Sequence, residues 1–141
     1  MKQVILITAC IFAIATAGIS QKVDVPPSVT KAFGDKFPTA TNVKWEKENK
    51  TELEINFKMN NSDVSANFKL DGSWVETETT IPTSALPAAI NSAITKKYPN
   101  ATFERTEKIE KPGGKVLYEA NIKVNGKKKE LELNEDGSFV K

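Results

Sequence analysis

The chain has 141 residues, with 20 Lys and Arg against 18 Asp and Glu and a formal net charge of +2. So even a balance implies neither a nucleic-acid partner nor an anionic membrane surface. There is no histidine and one cysteine, Cys10, so catalysis or metal binding that needs imidazole or several thiolates is excluded.

The first residues have the pattern of an export signal. Lys2 supplies a charged start, Val4 to Ile14 an apolar run, and Ala15-Thr16-Ala17 an A-x-A cleavage site, with Ser20 before Gln21 as a second option. The run is too short for a membrane span, which needs about 20 apolar residues, so no stable membrane insertion is expected. Ile7-Thr8-Ala9-Cys10 superficially matches a lipoprotein box, but the apolar run continues past Cys10 where a mature lipoprotein would be polar. Residues 1–20 are therefore expected to be removed, and 21–141 to form one domain. Cleavage removes Lys2 and Cys10 and takes the net charge from +2 to +1. A mature chain without cysteine has no disulfide and must rest on its hydrophobic core. No cofactor is implied.

The mature chain then says the same thing twice, over about 23–81 and 82–141, and such duplication fixes architecture ahead of any motif. Each copy opens on a helix. Val29, Ala32, Phe33 and Phe37 fall on one face of a 3.6-residue period, and Ile90, Ala93, Ile94 and Tyr98 repeat the stripe. Pro26 and Pro87 stand at the helix starts, where a missing N–H costs nothing. Pro38 and Pro99 stop the helices, because the residue before proline avoids the helical region.

After each helix the period changes to two. A strand is expected around Val43–Lys47. Leu53, Ile55, Phe57 and Met59 then alternate with polar residues, and so do Val64, Ala66, Phe68 and Leu70. Asn60-Asn61 between them suits a two-residue hairpin turn, which pairs Phe57 with Val64, Ile55 with Ala66 and Leu53 with Phe68. A fourth strand, Val75–Ile81, follows the Asp71-Gly72 turn. In the second copy, Phe103–Ile109 matches the first strand. Asn125-Gly126 is a strong hairpin signal that pairs Ile122 with Lys129, Ala120 with Leu131 and Tyr118 with Leu133. A last, truncated strand is expected at Ser138–Lys141 after Asp136-Gly137. The fold class is thus α+β: two tandem α-β-β-β-β repeats, sharing an antiparallel sheet with both helices on one face. The other face, carrying Glu52, Glu54, Asn56, Lys58, Glu119, Asn121 and Lys123, is left to water or a partner.

The remaining constellations read as structure. Glu52 and Glu54 lie on one strand face roughly 7 Å apart by the strand rise, a glycosidase-like spacing, but nothing in the sequence signals the cleft that such chemistry needs. Asp71-Gly72 and Asp136-Gly137 lack the alternating oxygen ligands of a calcium loop. Lys127-Lys128-Lys129 is too short for a nucleic-acid patch and reads as a charged edge that discourages aggregation. Three N-x-[ST] triplets, at Asn49, Asn60 and Asn100, match a pattern short enough to arise by chance.

The aromatics after the turns decide where a partner could sit. With a two-residue loop at Asp71-Gly72, Trp74, Glu76 and Glu78 face outward, and Trp74 lies beside Lys69. With a three-residue loop and a bulge at Gly72, Trp74 joins Phe68 in the core and turns Glu76 and Glu78 inward, where unpaired charge is costly. The outward arrangement is preferred for that reason, and Phe139 follows Trp74. Trp45 is a third such aromatic, with a core position the stronger reading. Exposed aromatics on a sheet face are interaction candidates.

The helix ending in Phe-Pro or Tyr-Pro, the Val43-Lys44-Trp45-Glu46 strand and the duplicated Asp-Gly-Ser-aromatic turn resemble the PepSY-like proteins of Gram-negative envelopes, which are grouped with the β-lactamase-inhibitor-like fold. The resemblance covers residues 23–141. It implies two α/β repeats on one sheet and an open concave face that can grip a protein, as β-lactamase inhibitor proteins grip an enzyme; PepSY domains are thought to restrain peptidases. Those inhibitor proteins carry disulfides, and no inhibitory loop residue can be matched here. The sequence therefore leads to a periplasmic or secreted, non-enzymatic module that binds an envelope protein or peptide. Its candidate face is Trp45, Glu52, Glu54, Lys58, Lys69, Trp74, Glu119, Lys123 and Phe139. The alternative is a binder of a small ligand or cell-wall fragment, which would need a pocket between helix and sheet.

Overall fold

The structure is a computed structural model that describes residues 23–140. The expected export signal over 1–20, its two cleavage options, Cys10 and Lys141 lie outside the described residues.

The elements run α1 (Pro27–Lys36), β1 (Thr41–Lys47), β2 (Glu52–Met59), β3 (Ser62–Lys69), β4 (Trp74–Ile81), α2 (Ala88–Lys97), β5 (Thr102–Lys111), β6 (Lys115–Val124) and β7 (Lys127–Asn134). Short 3-10 turns lie at Thr83–Ala85 and Pro112–Gly114. The seven strands form a single antiparallel sheet in sequential order. Both helices begin just after a proline and close on the residue before the next one: Phe37 N–H donates to Phe33 O at 2.8 Å, and Tyr98 N–H to Ile94 O at 2.7 Å.

The two hairpins have the registers expected from the alternation. Leu53, Ile55 and Phe57 stand beside Phe68, Ala66 and Val64; Tyr118, Ala120 and Ile122 stand beside Leu133, Leu131 and Lys129. Asn60, Asn61, Asn125 and Gly126 all hold positive φ at the turns, the conformation that asparagine and glycine accept most cheaply.

Register also carries each face across the sheet. Ala66 stands beside Thr77, Thr77 beside Glu110, Thr106 beside Ala120, and Ala120 beside Leu131; this is the apolar face. On the opposite face, Ser65 stands beside Glu78, Glu78 beside Ile109, and Ile109 beside Leu117. Val29 and Phe33 of α1, with Phe37 just past its end, join Leu53, Ile55, Phe57, Val64, Ala66 and Phe68 in one buried cluster, where Phe37 and Phe57 lie 4.8 Å apart between centroids. Ile90 and Ile94 of α2 join Leu86, Tyr118, Ala120, Ile122 and Leu133 in a second. Each fully buried large side chain contributes about 1.5–3 kcal/mol.

Three expectations are corrected. There is no eighth strand among the described residues. After Asp136-Gly137 the chain makes one bridge, Leu133 to Phe139, with Val140 N–H donating to Glu132 O at 2.8 Å, too short a ladder to count as a strand. Trp74 does not face outward: it stands beside Phe68 and packs against the α1 cluster. Its Nε1–H donates to Thr77 Oγ1 at 3.0 Å, and Lys36 Nζ lies 3.5 Å over its ring. Phe139 likewise packs against the α2 cluster, with Lys97 Nζ 4.0 Å from its centroid. The physical reason lies in β4. Its ladder breaks between Asn67 and Phe68, where Trp74 opposes Phe68 but Glu76 opposes Asn67. Val75 is the extra residue of a bulge, so Trp74 turns inward while Glu76 and Glu78 stay on the opposite face.

Candidate functional site: a glutamate-lined sheet face

The face opposite the apolar one collects carboxylates because alternation places every second residue of each strand there. From β4 to β7 it presents Glu76, Glu78, Glu107, Glu119, Glu130 and Glu132. Arg105 and Lys111 stand among them, with Lys115 beside Lys111. Arg105 pairs with Glu107 at 2.7 Å and donates to Thr80 Oγ1 at 3.1 Å. Lys111 reaches Glu76 at 3.0 Å and Glu132 at 3.8 Å. Glu78 accepts a hydrogen bond from Ser65 Oγ at 3.3 Å, and Glu119 one from Asn121 Nδ2 at 2.6 Å. At the hairpin tip, Lys123 and Lys128 share the face, Lys128 lying 3.5 Å from Glu104.

Crowding of like charges in a half-buried setting moves the protonation equilibria. Burial, then the charges of Glu107, Glu76 and Glu119, push Glu78 up to about 8. Burial, then Glu130 and Glu107, push Glu119 up to about 7. Glu130 is raised by burial and by Glu107 and Glu132, and Glu54 by burial and by Glu48 and Glu46. Burial works against the charge on Lys111, but Glu76 and Glu132 outweigh it and raise its pKa. In the middle of these charges lie Ile109 and Leu117, 3% and 1% exposed, in neither core cluster. Among the described residues no three carboxylates converge closely enough to hold a metal ion; the glutamates form an extended array, with Glu107 buried at 4% exposure.

Of the residues singled out in the sequence, Glu52, Glu54, Lys58, Lys69, Glu119 and Lys123 do lie on this face. Lys58 pairs there with Asp63 at 2.8 Å. Trp45, Trp74 and Phe139 lie on the other side; Trp45 stands beside Ile55 and meets the Phe33 ring edge-on at 5.2 Å. The sequence reading missed Arg105, Glu107, Glu130 and Glu132, which bring most of the charge to the β5–β7 half. The signal available was the alternation Arg105, Glu107, Ile109, Lys111 across from Glu119 and Asn121. A separate depression of about 300 Å³ lies by the β1–β2 connection, lined by Val23, Asp24, Lys47, Asn49, Lys50, Leu53 and Leu70.

A family model described as "Putative beta-lactamase-inhibitor-like, PepSY-like" matches residues 54–141. Among solved structures, a BLIP-like protein from Bacteroides fragilis NCTC 9343 is 21% identical, with a TM-score of 0.72 over 84% of this chain and 85% of that one. A DUF2874 family protein from Bacteroides ovatus ATCC 8483 is 23% identical, with a TM-score of 0.74 over 84% and 87%. A "putative periplasmic" protein from Bacteroides eggerthii DSM 20697 is 21% identical, with a TM-score of 0.75 over 84% and 88%. At these identities the likeness is one of fold. No curated protein matches the chain.

Proposed function

Because the chain belongs to the PepSY-like family, we propose that it is an exported, non-enzymatic module that binds a protein or peptide on its glutamate face, in an inhibitor-like or regulatory role. The observation that carries this reading is the asymmetry of the sheet. Each helix has its apolar stripe in a cluster with apolar-face residues, and the register links those residues across the sheet. On this reading the chain is a tandem duplication with both helices on one face, and the glutamate face is left open over seven strands. A broad open sheet face suits a macromolecular partner. The absence of histidine from the chain, and of cysteine after the expected cleavage, supports binding over catalysis. The description of the Bacteroides eggerthii relative as periplasmic supports a periplasmic or secreted site. No helix among the described residues is long and apolar enough to cross a membrane.

The rival reading, a small-ligand or cell-wall-fragment binder, would use the depression at Val23 and Leu70. That depression is lined by strand and loop residues and by none of either helix, and its volume is at the low end for ligand sites. Photo-crosslinking in envelope extract separates the two. A crosslinking residue at Asn67 or Asn121, on the glutamate face, is expected to capture a partner that one at the helix positions Thr30 or Ser92 does not. Capture from the helix positions alone, or from none, would refute the proposal.

A further inference from the structure

The sheet ends in two edge strands, β1 and β7, and they are guarded differently. One end of β7 is occupied by the Leu133–Phe139 bridge and by Val140 N–H on Glu132 O at 2.8 Å. Its other end carries Lys127, Lys128 and Lys129, a charge run that repels a like edge. Among the described residues no strand pairs with the outer edge of β1. Glu48 N–H donates to Glu52 O at 3.1 Å, and the ladder sets Glu46 beside Glu54 and Lys44 beside Asn56. Alternation then points the backbone N–H and C=O of Lys44 and Glu46 at β2, and those of Trp45 and Lys47 away from the sheet. The bulge between Thr41 and Lys44 limits the regular edge to Val43–Lys47.

Side chains along this edge are self-complementary. Lys44 and Glu46 are exposed on the polar face, and between them Trp45 is half-buried on the apolar face. Neither charge makes a salt bridge among the described residues. A two-fold axis through Trp45 would pair two such edges antiparallel, with Lys44 beside the partner's Glu46 and Glu46 beside the partner's Lys44. Other registers fail. A centre at Lys44, Glu46 or Lys47 sets like charges directly opposite each other, which is destabilising. A centre between two residues sets Trp45 beside a charge and joins the apolar face of one copy to the polar face of the other. A centre at Val43 falls on the bulge.

We infer that β1 pairs with β1 of a second copy of this chain, antiparallel and centred on Trp45. The outward backbone groups of Trp45 meet the same groups of the second copy, and two ion pairs close on the polar side. Each face continues across one sheet of fourteen strands, seven from each copy. The contact is isologous and uses up the β1 edge, so assembly closes at two copies. Five residues a side fall short of the roughly 20–30 that a stable interface engages, so the dimer is reversible and depends on concentration. The edge is separate from the glutamate face, and its pairing does not depend on the binding reading above.

Sedimentation equilibrium of the exported protein between about 10 and 500 μM, a range suited to a small reversible interface, tests the pairing. The wild type is expected to shift from monomer to dimer across it. Glu46→Lys and Lys44→Glu, each alone, set like charges opposite each other and are expected to weaken the dimer at least about tenfold. Mixed in equal amounts, the two variants restore opposite charges at both pairs and are expected to dimerise as the wild type does, which also shows that both fold. In the wild type, amide hydrogen exchange at Trp45 and Lys47 should slow as concentration rises. A wild type that stays monomeric, single variants that dimerise as the wild type does, or a mixture that stays monomeric would each overturn the inference. Where a variant folds poorly, the wild-type exchange decides: rates at Trp45 and Lys47 that do not change with concentration overturn it.

Discussion

Gly72 is held at φ 91° with the Ser28 carbonyl so near that an added Cβ would sit 2.8 Å from its oxygen. Ser28 Oγ meanwhile donates to Leu70 O at 2.9 Å, so the β3–β4 turn is clasped to the first turn of α1. Gly137 repeats the arrangement against Ala89 O at 2.6 Å. Gly72→Ala is therefore expected to cost more than the roughly 1–2 kcal/mol of a left-handed alanine alone, because backbone must also move. Gly34, inside α1 with nothing within 4 Å of its would-be Cβ, is the control: Gly34→Ala should stabilise by about 0.5–1 kcal/mol. Urea denaturation of both variants measures this, and a tolerated Gly72→Ala would show that the clasp is loose. Trp74 makes a parallel case. Its ring bridges Lys36 and the α1 cluster, so Trp74→Ala is expected to lower stability by about 2–4 kcal/mol and to leave partner capture by crosslinkers at Asn67 and Asn121 unchanged. A loss of capture without a loss of stability would return Trp74 to the partner surface.

Among the elements, alternation and turn chemistry were enough for β2–β3 and β6–β7, because a one-residue slip throws every apolar side chain to the wrong face. They were not enough for β4. A period of two ties Trp74 and Glu76 to one face, so placing Trp74 in the core seemed to require burying Glu76 and Glu78. The bulge at Val75 breaks that link, and no residue type marks it: the apolar Val75 reads equally well as a regular core position. The candidate site was legible to the same degree. Glu52, Glu54, Lys58, Lys69, Glu119 and Lys123 followed from the hairpin registers. The core reading of Trp45 holds, whereas the inward places of Trp74 and Phe139 depend on contacts with helices distant in sequence. Deleting Val75 tests the account of the bulge. The shortened strand should keep Trp74 opposite Phe68 and Glu76 opposite Asn67 in a regular ladder, visible as cross-strand NOEs at both pairs. If Glu76 instead loses its place beside Asn67, the bulge does not set the faces of β4.

At the scale of the molecule, the glutamate face sets how stability varies with pH. Glu78 has an ordinary value of 4.5 and is raised to about 8 in the fold; Glu119 is raised to about 7. Below about pH 4.5 folded and unfolded chains both hold these protons. Between there and about pH 8 the unfolded chain releases them while the folded chain keeps them, so stability falls as pH rises and levels off above that range. For Glu78 the loss is on the order of a few kcal/mol. Asp63, Asp71 and Asp136 act in the opposite sense. Hydrogen bonds from Lys58, Ser73 and Ser138 hold them below their ordinary 3.8, and their support is lost as pH falls through that region. Stability is thus expected to peak in mild acid, between the two limbs, and to decline toward pH 8. Glu78→Gln/Glu119→Gln should flatten the alkaline limb and raise the melting temperature at pH 8 while changing little at pH 4. Thermal melts of both proteins across that range measure the effect. A wild-type profile flat from pH 5 to pH 8 would mean that the carboxylates ionise freely in the folded state, and the face would then store no repulsion.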